Sequence, residues 1–384
     1  MKYLKLIALA LGAILIGCRG ESSIVGSTTT TPTTGEEGEI KGFFLLNEGN
    51  MGSNKATLDY FDYESGTYTK NIYSERNPNV VKELGDVGND LGIYGDKLYA
   101  VINCSHFIEV MNKKTVEHIT QISIPNCRYI EFYEGYAYVS SYAGPVEVDP
   151  NARLGYVAKI DTVTLQVVDT CVVGYQPEEM VITDGKLFVA NSGGYLVPDY
   201  DNTVSVIDLS TFKEVEKIEV AINLHRMEID SYGNIWVSSR GDYYDTPSKT
   251  YVINSESHKV TDEFDLLACS DMTVVGDSLY IYGTEWNYTT QSTTKTFAIV
   301  NTETKRILTR SFITDGTDDD ITLPYGIAVN PNTRDFYLTD AKDYVTPGKV
   351  HCYSSSGVHK WEATTGDIPS AIVFTDTKLS PLEE

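Results

Sequence analysis

Residues 178–220 read EEMVITDGKLFVANSGGYLVPDYDNTVSVIDLSTFKEVEKIEV. Four short runs, EEMVIT, KLFVAN, TVSVID and EVEKIEV, are rich in Val, Ile and Phe and alternate apolar with polar residues, which is the pattern of β-strands. TDGK between the first two is a short Gly-containing turn, whereas the second and third are separated by the long stretch SGGYLVPDYDN. Asp208 closes the third run and reads as an Asx-turn residue, whose side chain accepts from a backbone N–H two residues on. The segment is therefore expected to be a four-stranded antiparallel unit.

Outward from this stretch the same unit recurs. The aromatic second strand appears as KGFFLLN at Phe44, GDKLYAVIN at Tyr99, GYAYVSS at Tyr138, GKLFVANS at Phe188, GNIWVSSR at Trp236, DSLYIYGT at Tyr280 and RDFYLTD at Tyr337. Each is followed by a strand ending in a polar turn residue: Asp62, Asn112, Asp161, Asp208, Asn254, Asn301 and Ser354, at spacings of 50, 49, 47, 46, 47 and 53. Four-stranded units repeated at this period form the blades of a propeller. The chain enters on a second-type strand, Phe43 to Asn47, and finishes on DIPSAIVFT, which has the first-strand pattern. The last strand is thus expected to complete the first blade and remove the open edges that invite aggregation. The expected fold is all-β, a single seven-bladed β-propeller of four-stranded antiparallel blades occupying residues 42–384.

Ahead of it, residues 1–17 have a basic start at Lys2 and Lys5 and an apolar stretch from Leu6 to Ile16 that is too short to span a bilayer, the form of an export signal. The stretch ends Leu15-Ile16-Gly17-Cys18, which resembles the bacterial lipobox, so Cys18 is the expected lipidation site. Residues 18–41 are rich in Thr, Gly, Ser and Glu and are expected to be a flexible tether. With 30 Lys and Arg against 54 Asp and Glu, the chain carries a net charge of −24, which argues against nucleic acid as a partner. The 27 Tyr residues and 11% aromatic content exclude a disordered chain.

In such a meander the loops joining second and third strands share a face with the connections between blades. Those loops are long and unlike one another, and they hold Tyr142, Tyr195, Tyr200, Tyr243, Tyr244, Trp286, Tyr288 and Tyr344 among Asn, Asp, Ser and Gly, a composition suited to a ligand with an apolar plane and a polar fringe. The positions just before each first strand form a second ring expected to converge near the channel mouth: Asp90, Arg128, Glu179, Arg226, Asp271, Tyr325 and Ser370. Their alternating signs fit either a network that satisfies itself or groups that bind a ligand. His106 and His225 also fall on the loop face.

Five cysteines follow Cys18, none in a metal-binding spacing, so no metal site is expected; Cys104 and Cys127 fall on the loop side of adjoining blades and are a candidate disulfide. Propeller lactonases hold a central cation on Asp, Glu and Asn, which two arginines in the ring would repel. The run Asp318-Asp319-Asp320 reads as a solvated charge run, and no GxSxG elbow or HExxH helix is present. The chain is expected not to be an enzyme and to need no catalytic cofactor.

The strand pairs GKLFVANSGG and NTVSVIDLSTFKEVEKIEV resemble the YVTN repeats of surface-layer-like propellers, and the resemblance covers all seven units. Together with the lipobox and the Tyr- and Asn-rich loop face, the chain resembles the BtuG-type surface lipoproteins. That resemblance implies capture of cobalamin and related corrinoids at the cell surface, a lipid anchor in the outer membrane, and delivery to a TonB-dependent cobalamin transporter of the BtuB type. The alternative is a surface propeller that binds a glycan or a protein partner.

Overall fold

The computed structural model describes residues 39–80, 83–265, 267–289 and 291–381. The expected signal segment, Cys18 and residues 18–38 of the tether lie outside the described residues.

Seven separate four-stranded antiparallel sheets are present, and the fold is a seven-bladed β-propeller. In chain order the innermost strands of blades two to seven are Gly88–Tyr94, Cys127–Tyr133, Pro177–Thr183, Leu224–Ile229, Asp271–Val275 and Pro324–Val329. The innermost strand of blade one is the C-terminal Pro369–Thr375, paired antiparallel with Gly42–Asn47. Each innermost strand packs against the next around a closed ring. The two ends of the chain therefore lock one blade together, as the terminal patterns required.

Each repeat aromatic fills a different interblade core. Tyr99 of blade two packs with Ile130, Ala137 and Val139 of blade three; Phe188 of blade four with Ile229, Ile235 and Ile253 of blade five; Trp236 of blade five with Leu279, Ile281 and Ala298 of blade six. Phe44, Tyr138, Tyr280 and Tyr337 do the same in the remaining four cores. None of the seven is more than 7% exposed, so the repeat is legible because every blade must present one large ring to its neighbour. Truncating one such ring to Ala would cost about 3–5 kcal/mol.

The Asx-turn reading holds at the third-strand ends. Asp208 Oδ1 accepts from the N–H groups of Ser210 at 2.9 Å and Thr211 at 3.0 Å, Asp161 Oδ1 from Val163 and Thr164, and Asn112 Oδ1 from Lys114 and Thr115. Asp62, Asn254 and Asn301 each accept from the N–H three residues on, and Ser354 Oγ accepts from that of Val358.

Two features depart from a uniform repeat. The loop expected to hold Trp286 and Tyr288 is mostly strand: Ser278–Asn287 pairs with Ser292–Asn301 through Asn287 and Ser292, making a long hairpin arm that carries Trp286 outward. Its Thr, Trp and Tyr content favours extended pairing over a coil. In blade one the outer strand is only Thr67–Thr69, and the helix Ile72–Arg76 follows it, with Ile72 and Tyr73 buried in the core between blades one and two.

Candidate functional site

The channel mouth is built on β-bulges. In blades three, four, five and seven the inner strand sets two residues opposite one on its neighbour: Arg128-Tyr129 opposite Ser140, Glu178-Glu179 opposite Ala190, His225-Arg226 opposite Ser238, and Tyr325-Gly326 opposite Thr339. A bulge breaks the ladder and leaves an unpaired N–H. In blades three, five and seven the facing hydroxyl takes it: Tyr129 N–H donates to Ser140 Oγ at 3.1 Å, Arg226 N–H to Ser238 Oγ at 2.9 Å, and Gly326 N–H to Thr339 Oγ1 at 2.7 Å. The bulges also re-aim consecutive side chains towards the mouth.

Those side chains form one network. Arg128 donates through Nε and Nη2 to Glu178 Oε2 at 3.1 and 3.0 Å, and Tyr142 donates its hydroxyl to Glu178 Oε1 at 2.5 Å. Arg240 Nη1 lies 3.5 Å from that same Oε1. Burial pushes the Glu178 carboxyl up, but Arg128 and then Arg240 outweigh it and hold the group below its ordinary range. Arg226 donates from Nη1 to Glu179 Oε1 at 2.8 Å, and its Nε lies 3.3 Å from Asp271 Oδ1. Its guanidinium and that of Arg128 stand 5.4 and 5.6 Å from the Tyr129 ring centroid.

Three of the carboxylates also bridge blades through the backbone. Asp90 Oδ2 accepts from Ile130 N–H at 2.9 Å, Glu179 Oε2 from Met227 N–H at 2.7 Å, and Asp271 Oδ2 from Ile327 N–H at 3.0 Å. Blades two, four and six are thereby pinned to blades three, five and seven. Burial lifts Asp90 to about 6 against those backbone donors. Tyr325 donates to Glu48 Oε2 at 2.9 Å, and burial lifts Glu48 to about 7. Ser370 donates to the Leu46 carbonyl at 3.3 Å.

The ring expected from sequence is therefore brought together: Arg226 pairs with Glu179 and Asp271, Arg128 pairs with Glu178, and Asp90 is held by backbone N–H groups. It is also filled rather than open. Tyr129, Tyr142, Glu178 and His225 are 4%, 3%, 1% and 6% exposed. Glu48, Tyr129, Glu178 and Arg240 belong to this network and were absent from the expected set, and His225, expected on the loop face but not in the ring, belongs to it as well. A bulge puts two neighbours on one face, so a one-per-blade reading takes Glu179 and Arg226 and misses Glu178 and His225. Two adjacent glutamates in an otherwise apolar strand were the available signal. His225 is not at the surface: its Nε2 meets Tyr129 Oη at 3.0 Å and Arg240 Nη2 at 2.7 Å, burial holds it well below the ordinary imidazole range, and its Nδ1 is buried without a partner. His106 Nδ1 accepts the N–H of Asn126 at 3.0 Å.

Outside the mouth the loop face carries exposed aromatic rings among its polar residues. Tyr244 and Tyr288 stack with centroids 5.2 Å apart, and Trp286 meets Tyr288 edge-on at 6.2 Å. The Tyr288 N–H donates to the Tyr243 carbonyl at 3.3 Å, joining the loop of blade five to the arm of blade six. Tyr243, Trp286, Tyr288 and Tyr244 are 36%, 43%, 55% and 58% exposed, and they form a ledge. Tyr243 lies within electrostatic reach of Arg240, Tyr195 and Tyr200, and Tyr195 packs edge-on against Tyr142 at 6.2 Å, so ledge and mouth are continuous. Across the face Tyr344 packs edge-on against Tyr325 at 5.9 Å. Met51, Val148, Val197 and Val345 add exposed apolar groups from the corresponding loops of blades one, three, four and seven.

The expected disulfide is not formed. Cys104 and Cys127 are free thiols, as are Cys171, Cys269 and Cys352. Cys127 Sγ is fully buried and directed at the carbonyls of Ile102 at 3.5 Å and Phe107 at 3.4 Å, while Cys104 Sγ faces Asn103 Oδ1 at 3.4 Å. Burial lifts the Cys127 thiol to about 12, which makes it inert. The Asp318–Asp320 run forms part of the 3-10 turn Thr317–Asp320, in keeping with a solvated charge run.

Residues 41–379 match the family described as a domain of unknown function, DUF5074. The chain belongs to the DUF5074 family. Comparison with curated proteins finds no match. Among solved structures the DUF5074 propeller is similar to a hypothetical selenium-binding protein from Sulfolobus tokodaii, at 13% identity and a TM-score of 0.61, covering 88% of this chain and 94% of that one. It is also similar to a periplasmic gluconolactonase from Pseudomonas aeruginosa, at 12% identity and a TM-score of 0.59, covering 87% and 98%. A quinonprotein alcohol dehydrogenase-like protein from Bacteroides thetaiotaomicron aligns at 16% identity and a TM-score of 0.56, covering 87% and 78%. At these identities the likeness is one of fold.

Proposed function

We propose that this DUF5074 propeller is a non-enzymatic capture protein for cobalamin and related corrinoids, lipid-anchored through Cys18 at the outer-membrane surface and working with a TonB-dependent transporter. The observation that carries the reading is the exposed ledge of Tyr243, Tyr244, Trp286 and Tyr288 beside a rigid polar mouth. A corrinoid presents a broad ring edged with amides and a nucleotide tail. Exposed aromatic faces bury such a ring at low entropic cost, and Tyr hydroxyls with the Asn, Asp and Ser of the same loops meet its amides. The ledge is held by a β-hairpin arm and a stacked ring pair, so little order has to be gained on binding. Because the mouth is filled by its own ion pairs, the ligand sits on the loops and not in the channel. The exposed Met51, Val148, Val197 and Val345 on four other loops then remain for the transporter to cover.

The test is to mix the chain from residue 19 onward with cyanocobalamin, pass it over a desalting column and follow the corrin absorbance. Colour retained at one ligand per chain supports the reading. Folded protein that emerges colourless overturns it and leaves the glycan- or protein-binding alternative, to be pursued by a ligand screen.

A further inference from the structure

A second cluster lies far out on blade seven and takes no part in the loop face. His351 belongs to the strand Pro347–Tyr353, and His359 and Glu362 to the outermost strand His359–Asp367. Glu362 stands directly opposite His351, and His359 opposite Tyr353. Residues three apart on a regular strand face opposite sides, but the register shifts between Cys352 and Tyr353, with Lys360 the extra residue. That bulge turns His359 onto the face of His351 and Glu362. One ligand atom from each of the three residues lies within 4.8 Å of the other two.

Nε2 of His351 and Nε2 of His359 are both buried without a hydrogen-bond partner. His351 is 2% exposed, so this is an unpartnered imidazole nitrogen in the interior, which is disfavoured unless something pairs with it. Glu362 already gives Oε1 to Lys349 Nζ at 2.5 Å, while its Oε2 lies 3.5 Å from His351 Nδ1. Tyr353 flanks both imidazoles, with centroids 6.5 Å from His351 and 5.3 Å from His359.

Blade two provides the contrast. The corresponding positions carry Glu109, His118 and Gln121. There His118 Nδ1 meets Glu109 Oε1 at 2.5 Å, and Gln121 donates to Glu109 Oε2 at 3.0 Å, so the carboxylate is occupied by its own neighbours. In blades four and five the positions hold Ser205, Glu214 and Lys217, and Tyr251, Val260 and Glu263, which are not metal-ligand sets. Among the described residues, the blade-seven group alone brings three His, Cys, Asp or Glu ligands together.

We propose that His351, His359 and Glu362 bind a divalent transition-metal ion of the zinc class. Two imidazoles and one carboxylate are a borderline donor set that favours zinc over calcium or magnesium, which prefer all-oxygen sites. The Glu362 side chain is 43% exposed, so solvent reaches the remaining coordination position. The ion would tie the two outer strands of blade seven together. The site revises the expectation of no metal, because its ligands come from two strands and a bulge and not from a local spacing.

The experiment uses the chain from residue 19 onward, without a polyhistidine tag, stripped with chelator and titrated with Zn2+ by calorimetry. Binding of one Zn2+ per chain, a rise in Tm with Zn2+ and no response to Ca2+ are expected. His359→Gln and Glu362→Gln should each weaken Zn2+ binding at least about tenfold, since even outer-sphere partners of a metal act on that scale. Co2+ should develop visible d–d bands that His359→Gln removes. His118→Gln should leave all of this unchanged. Glu362 is exposed, so its variant keeps the test open if His359→Gln lowers solubility. The proposal is overturned if Zn2+ does not bind, if both blade-seven variants bind it as the parent does, or if His118→Gln abolishes binding.

Discussion

The mouth ring and the aromatic ledge share one face of the propeller and are opposite in construction. In the ring, Arg128, Arg226, Glu178, Glu179 and Asp271 are largely withdrawn from solvent, none more than 16% exposed, and form the ion pairs Arg128–Glu178, Arg226–Glu179 and Arg226–Asp271. On the ledge, Tyr244, Trp286 and Tyr288 stand 58%, 43% and 55% exposed, with Tyr288 stacked on Tyr244 and edge-on to Trp286. Buried charges that already satisfy one another offer a ligand little, because binding would have to break them first. Exposed rings on a fixed arm offer apolar area with nothing to displace but water. The contrast gives the ring the adhesion between blades and, on the proposed function, leaves recognition to the ledge.

The largest effect should come from breaking the ring. Arg226→Ala leaves Glu179 and Asp271 facing each other in the interior, and unfolding by denaturant should show a loss of about 3–5 kcal/mol. A loss below about 1 kcal/mol would mean that the ring is not a structural staple, and the comparison would fail at that end. Next, Tyr244→Ala and Trp286→Ala should each weaken cyanocobalamin binding by about 2 kcal/mol, roughly thirtyfold, while stability moves by no more than about 0.5 kcal/mol. Unchanged affinity in both variants would remove the ledge from recognition.

A third effect is a pH dependence located at Glu48. Its carboxyl rises from 4.5 to about 7 on folding because it is buried, so between those values the folded protein holds a proton that the unfolded chain releases. Stability attributable to this group is full below about 4.5 and falls as pH rises towards 7, by at most about 1.4 kcal/mol per pH unit. Glu48→Gln still offers an acceptor to Tyr325 and should flatten that part of the Tm–pH curve. An identical slope in parent and variant would place the titration elsewhere in the mouth.

The blade count, the strand order and the closure at Pro369–Thr375 were legible because each repeat needs the same two things. It needs one ring, such as Tyr99 or Trp236, to fill the next interblade core, and one Asp, Asn or Ser to close the turn after the third strand. Both demands are local or nearest-neighbour, so they are written into the sequence at a fixed period. The mouth was legible by halves. Asp90, Glu179, Arg226 and Asp271 follow from position, whereas Glu178 and His225 depend on bulges, and they and Arg240 depend on partners in other blades.

By itself the sequence determined an all-β closed ring, the face with the long loops and the aromatic character of that face, since hydrophobic period and turn chemistry act over a few residues. Tertiary structure decided which charges pair, that the mouth is filled, that Cys104 and Cys127 stay apart as free thiols, and that His351, His359 and Glu362 meet on one face. Each of these turns on a bulge or on packing between strands distant in sequence. A one-residue change of register reverses the side a residue faces, and no local pattern announces it.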